Sequence, residues 1–99
     1  MMPGLQDARH IHFIGIGGAG LSAIARVLME RGAVVSGSDL ALSPAAEALA
    51  RDGARVYIGH RAEHIAGADV VIASSAVRED NVEVQAARAA GIPVLRRAE

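Results

Sequence analysis

The sequence contains no cysteine, no lysine and no tryptophan, and its only phenylalanine and tyrosine stand alone among 99 residues. Without cysteine there can be neither a disulfide framework nor a thiolate metal site. Scarce aromatics leave no platform on which nucleic-acid bases could stack. Charge of one sign is also missing: ten arginines are scattered against eleven acids, for a net charge of −1. Neither a nucleic acid nor a membrane surface is therefore expected as a partner, whereas a single small anionic ligand remains compatible. No apolar run is long enough to span a bilayer, and the polar stretch before Ile11 has no apolar signal core, so a cytoplasmic protein is expected. Internal repeats are absent, and low complexity is confined to local alanine enrichment.

What the chain does have is small aliphatic side chains, with hydrophobic residues making up 52% of the total. The length suits one domain that buries roughly 60–70% of its unfolded surface. Alanine, valine, isoleucine and leucine without bulky rings favour helices layered on a sheet. The organising stretch is His10 to Met29: an apolar run, then Gly15-Ile16-Gly17-Gly18-Ala19-Gly20, then apolar Leu21, Ile24, Ala25 and Leu28 at helical spacing. This strand, glycine turn and helix make a G-x-G-x-x-G phosphate-binding βα unit. Gly15 permits the tight turn, Gly17 lets backbone approach a pyrophosphate, and Gly20 permits close packing of helix on strand. The helix starting near Gly18 or Ala19 aims its free N–H groups and positive dipole end at the same place, so no lysine is needed there.

In chain order, residues 1–9 are expected to be a flexible lead-in and residues 10–99 a single domain. Strands are predicted at Ile11–Ile14, Ala33–Ser38 (running onto Asp39), Arg55–Ile58, Asp69–Ala73 and Pro93–Leu95. The intervening helices run from Ala19 to Arg31, from Pro44 behind a Ser43 cap to Gly53, and from a capping box of Asp80 and Glu83 to Gly91. Ala62–Ile65 is long enough for only a turn or two. Five βα steps give an α/β, Rossmann-like three-layer sandwich with a five-stranded parallel sheet. Ligands of such sheets bind beyond the carboxyl ends of the strands, where strand order reverses. The loops there are 15–20, 39–43, 59–61 and 74–78.

Asp39 follows Gly20 at the distance where an acid meets ribose hydroxyls, although aspartate also caps turns unaided. His60 is placed to reach a base or ribose edge, or else to stand in a solvated loop. Ser74 and Ser75 offer hydroxyl and backbone donors to a phosphate or sugar, unless they only satisfy local backbone. His10 and His12 share a strand face but have no evident third ligand, so no metal is expected. Arg96 and Arg97 read as a solvated exit. No nucleophile triad or carboxylate pair emerges, which suggests a binding module without catalytic residues.

The runs HFIGIGGAGLSAIARVL, VSGSDL, YIGH, VVIASSAV and GIPVLRRAE together resemble the N-terminal domain of the Mur ligases, from His10 to Glu99. Their form is most similar to the branch that joins L-alanine to UDP-N-acetylmuramate. A neighbouring branch, which recycles murein tripeptide, has a more altered glycine turn and lacks IPVLRRAE. The resemblance implies an ATP- and magnesium-dependent, three-domain ligase of cytoplasmic peptidoglycan synthesis. Its N-terminal domain holds the UDP part of the substrate, and L-alanine and ATP reach the other two domains. The matching positions are Gly15, Gly17, Gly18, Ala19 and Gly20 for the diphosphate, Asp39 and His60 for uridine, and Ser74, Ser75 and Ala76 for the sugar-phosphate side. The family's ATP loop, G-x-x-G-K-[ST], needs a lysine, so the central and C-terminal domains are expected to be missing from this chain. The glycine turn and Asp39 alone fit an NAD-binding domain of an oxidoreductase or transport regulator equally well, and a ligand-free interaction module is a third reading.

Overall fold

The computed structural model describes residues 8–97. Strands β1 (His10–Ile14), β2 (Val34–Asp39), β3 (Arg55–Ile58), β4 (Val70–Ser74) and β5 (Val94–Arg97) alternate with helices α1 (Ala19–Glu30), α2 (Pro44–Arg51) and α3 (Val82–Ala89). A 3₁₀ turn at Ala62–Ile65 replaces a helix between β3 and β4. All strand pairs are parallel, in the order β3-β2-β1-β4-β5. The direction of winding thus reverses between β1 and β4. The expected α/β, Rossmann-like five-stranded parallel sheet is the observed one.

Alternation along the central strands builds the two outer layers. Ile11 and Phe13 of β1, with Ile72 of β4, pack on Leu21, Ala25 and Leu28 of α1 and Leu49 of α2. Ile14, Val71 and Ala73 face the other way, onto Ile65 of the 3₁₀ turn and Val84 and Ala87 of α3. A parallel sheet must be covered on both faces, and here two thin aliphatic cores do so. Close approach fixes one residue of β2. A Cβ at Gly37 would lie 2.5 Å from the Ile16 side chain, which crosses over the strand as the chain leaves β1.

Several boundaries shift by a residue or two from the sequence expectation, β4 to Val70–Ser74 among them, and three differences have a tertiary reason. β5 runs on through Arg96 and Arg97, which pair with Ala73 and Ser74 because the open edge of β4 supplies partners. α3 begins after an Asn81 cap that accepts the Glu83 N–H at 2.8 Å, since the Glu83 side chain turns inward and makes no capping box with Asp80. Of the lead-in, residues 1–7 lie outside the described part, but Ala8 packs on the core and Arg9 is tied to the sheet. Asp69 Oδ2 accepts the His10 and Arg9 N–H groups at 2.9 Å each. These two backbone hydrogen bonds hold its carboxyl below the usual carboxylate range.

Candidate functional site

As the chain leaves β1, the Gly15 and Ile16 N–H groups both donate to Ser38 O, at 2.8 and 3.1 Å. The turn can then tighten only with Gly15 at φ +90°, where a Cβ would also crowd Ser74 of β4 at 3.2 Å. Gly15 therefore sits in the fork between β2 and β4, at the point where strand order reverses. Gly18 N–H closes the turn onto Gly15 O at 3.1 Å. Gly18 is the N-cap of α1 and no side chain caps that helix, whereas Ser43 caps α2 and Asn81 caps α3. The first-turn amides of α1 are thus left facing outward for solvent or an anion.

Asp39 ends β2 beside this turn. Its Oδ2 accepts the Gly17 N–H at 2.8 Å and its Oδ1 accepts the Leu40 N–H at 2.8 Å. The carboxylate holds the glycine turn in place and still lines the cleft. The need for glycine at position 17 also has a cause within the protein itself. A Cβ there would meet Asp39 Oδ2 and Ser43 Oγ, each at 2.7 Å, before any ligand was considered.

A cleft of about 510 Å³ opens over these elements. Gly15, Gly17, Gly18, Asp39, His60, Ser74 and Ala76 line it, joined by Leu40, Val77, Arg78, Asp80 and Asn81. Ala19, Gly20 and Ser75 do not line it. Ala19 and Gly20 lie inside the first turn of α1, and the Ser75 N–H is spent on Arg97 O at 2.9 Å. Ser74 Oγ accepts the Ala76 N–H at 3.2 Å, so this hydroxyl satisfies local backbone as well as bordering the cleft. Asp80 and Asn81 were outside the loops picked from the sequence, because nothing local marks the segment after β4 as folding over the sheet edge. It is held there by ion pairs. Glu79 binds Arg88 of α3 and Arg96 of β5, and hydrogen bonds from these two arginines hold its carboxyl at about 2. Arg96 also donates to Val77 O. The expected solvated exit therefore staples the loop, and Arg78 forms a two-pronged pair with Asp80 at 3.1 Å.

Beneath the cleft lies a polar cluster that local sequence did not reveal. Glu83 is fully buried. Its Oε1 accepts from His12 Nε2 at 2.6 Å and Ser38 Oγ at 2.8 Å. Its Oε2 meets His64 Nδ1 at 2.8 Å and the Arg61 N–H at 3.1 Å, with His60 Nδ1 at 3.4 Å. Burial alone would push this carboxyl up, but the hydrogen bonds from His12, His64 and Ser38 outweigh it and bring it to about 2. His10 and His12 share Ser36 Oγ at 2.8 and 2.7 Å, which gives these histidines a structural occupation. The one available signal was position, since Glu83 falls on the same helical stripe as Ala87 and beside Val84, both core residues.

Comparison with known proteins decides the family. The model of the Mur ligase family, catalytic domain, matches residues 10–99. The chain belongs to the Mur ligase family. Among Mur ligases, the UDP-N-acetylmuramate–L-alanine ligase of Laribacter hongkongensis is 58% identical over 94 residues, which are 95% of this chain and 20% of that protein. The present sequence thus spans about a fifth of that relative's length. A crystal structure of UDP-N-acetylmuramate–alanine ligase from Thermotoga maritima superposes with a TM-score of 0.85 at 36% identity, covering 89% of this chain and 20% of that one. The UDP-N-acetylmuramate:L-alanyl-γ-D-glutamyl-meso-diaminopimelate ligase of Neisseria meningitides follows at a TM-score of 0.80 and 32% identity, covering 89% and 28%. An NAD-complexed D-2-hydroxyacid dehydrogenase from Lactobacillus delbrueckii shares the fold alone, at 20% identity and a TM-score of 0.56 over 79% of this chain and 21% of that one.

Proposed function

We propose that these residues are the UDP-binding domain of an ATP-dependent ligase that joins L-alanine to UDP-N-acetylmuramate in the cytoplasmic part of peptidoglycan synthesis. The observation that carries the proposal is the uncapped α1 terminus at Gly18, opening with the Gly15 turn onto the cleft where strand order reverses. The first-turn amides of α1 at Ala19 and Gly20 are the donors offered to the diphosphate, and the tight turn through Gly15, Gly17 and Gly18 lets it come close to them. Asp39 and His60 supply the nucleoside end, and the segment from Ser74 through Ser75 to Ala76 borders the sugar-phosphate. The likeness to alanine-adding relatives supports the substrate, and the later runs YIGH and SSAV favour uridine over NAD.

In the complete ligase, the lactyl carboxylate of the substrate takes the γ-phosphoryl group of ATP, and the amine of L-alanine then displaces phosphate to form the amide. The catalytic groups for both steps belong outside these residues. A lysine-free sequence has no phosphate loop of the G-x-x-G-K-[ST] kind for ATP and its magnesium. Among the described residues, no three His, Asp or Glu side chains are arranged to hold a metal ion, and no helix is long and apolar enough to cross a membrane.

The deciding experiment is a parallel titration of the purified protein with UDP-N-acetylmuramate, UDP and NAD, followed by amide chemical shifts. Uridine ligands are expected to move the signals of Gly15 to Gly20 and Asp39, with NAD leaving them in place. Binding of NAD in preference to UDP would overturn the proposal. ATP turnover by the protein in the presence of L-alanine and UDP-N-acetylmuramate would overturn its assignment as a substrate grip without catalytic groups.

A further inference from the structure

Building on the UDP-binding reading, we infer that Glu83 and Ser38 are positioning residues for His60: they hold its ring with the proton on Nδ1 and turn a bare Nε2 to the cleft. His60 then accepts a hydrogen bond from a ligand O–H or N–H and gives none to a phosphate.

The direction of every bond follows from Glu83. An ionised carboxylate only accepts hydrogen bonds, so the Ser38 hydroxyl proton must point at Oε1, 2.8 Å away. Ser38 Oγ then has only lone pairs left for His60 Nδ1 at 2.9 Å, and Nδ1 must carry the proton. The second contact of Nδ1, with Glu83 Oε2 at 3.4 Å, demands the same. A neutral imidazole has one N–H, which leaves Nε2 bare. Among the described residues Nε2 has no partner, and none of their buried side-chain nitrogens or oxygens lacks one, so Nε2 reaches the surface on a side chain that lines the cleft. The rest of the cluster agrees. His12 gives its Nε2 proton to Glu83, accepts the Ser36 hydroxyl at Nδ1, and Ser36 in turn accepts from His10 Nε2.

The cleft is thereby divided by hydrogen-bond sign. Its free backbone donors lie beside the glycine turn, in the uncapped first turn of α1 at Ala19 and Gly20, and its nucleoside end presents two acceptors, Asp39 and His60. Phosphate oxygens, which only accept, are directed to the first end. A ribose hydroxyl or a uracil imide N–H is directed to the second.

The test reads the proton directly, by long-range ¹H–¹⁵N spectra of the histidine rings at roughly pH 8, above the ordinary imidazole range. The wild-type protein is expected to show His60 protonated at Nδ1 and bare at Nε2, and UDP should shift the Nε2 signal as it begins to accept a hydrogen bond. Glu83→Gln is near-isosteric and should reverse the tautomer. Of the donors around Glu83, the Arg61 backbone N–H alone cannot change role, so it takes the glutamine oxygen. The glutamine NH₂ then faces Ser38, whose hydroxyl turns to His60 Nδ1 and drives the proton to Nε2. UDP affinity should fall roughly tenfold, as for one mispaired hydrogen bond. His60 protonated at Nε2 in the wild type, the same tautomer in both proteins, or equal UDP affinity would overturn the inference. If the tautomers behave as expected but UDP does not bind the wild type, the UDP reading falls and the positioning of His60 stands. Should Glu83→Gln fail to fold, the wild-type tautomer and the response of Nε2 to UDP decide alone.

Discussion

At the scale of single residues, the site depends on contacts too close for any side chain. Gly17→Ala pushes a methyl into the carboxylate of Asp39 and the hydroxyl of Ser43. Both are ends of side chains and can move, so the expected result is a protein that folds with about 1–2 kcal/mol less stability and a displaced Asp39. Thermal melting and UDP titration of the same sample check this, because a merely loosened fold would lose melting temperature without a matching loss of affinity. Asp39→Ala removes a charged acceptor from the Gly17 and Leu40 amides, and is expected to cost about 1.5–3 kcal/mol by urea unfolding. A cost below a few tenths would mean that the turn holds itself. Glycine spacing at 15, 17 and 20 was legible from sequence because the turn is local. The carboxylate that actually crowds Gly17 comes from another strand, and no local pattern announces it.

At the scale of elements, each helix is bounded by local chemistry and oriented by the sheet. The Ser43 cap and Pro44 start of α2 were readable because capping acts within three residues. Ser43→Ala should cost about 1 kcal/mol, which for a domain of this size lowers the melting temperature by about 4–8 °C. Gly37→Ala is expected to be worse than any cap deletion. Its methyl would lie 2.7 Å from Ile16 Cβ as well as against the far end of that side chain, so the backbone after β1 must shift. Overpacking of this kind costs typically 1–3 kcal/mol, and here it also displaces the Gly15 turn, so UDP affinity and stability should fall together. Nothing in the run VVSGSD marked Gly37 as the passage beneath Ile16. The early start proposed for α3 failed for a related reason: three-residue spacing of Asp80 and Glu83 mimics a capping box, but burial among histidines is worth more to Glu83 than one amide bond at the surface.

At the scale of the whole molecule, Glu83 ties α3, the 3₁₀ turn, β1 and β2 together under the cleft. Its carboxyl lies at about 2 in the folded protein against an ordinary 4.5. The folded value is the lower one, so the stabilisation is complete above pH 4.5 and is lost as the pH falls toward 2. Glu79 contributes in the same sense from the surface, where salt screens it. Urea midpoints measured from neutral pH down through this window should drop steeply for the wild type and less steeply for Glu83→Gln. Parallel curves would place the acid sensitivity elsewhere.

Composition, the period of two along the strands and the glycine punctuation by themselves determined the parallel α/β sheet, the order of its elements and the end of the sheet at which the cleft opens. These are local or averaged properties, carried by neighbours along the chain. Only tertiary structure decided that Asp39 grips Gly17, that Arg96 staples the loop over the sheet edge, and that three histidines converge on one buried glutamate. The partners lie 22, 17 and up to 71 residues apart and meet only after the sheet has stacked them, so their attraction leaves no mark in sequence spacing.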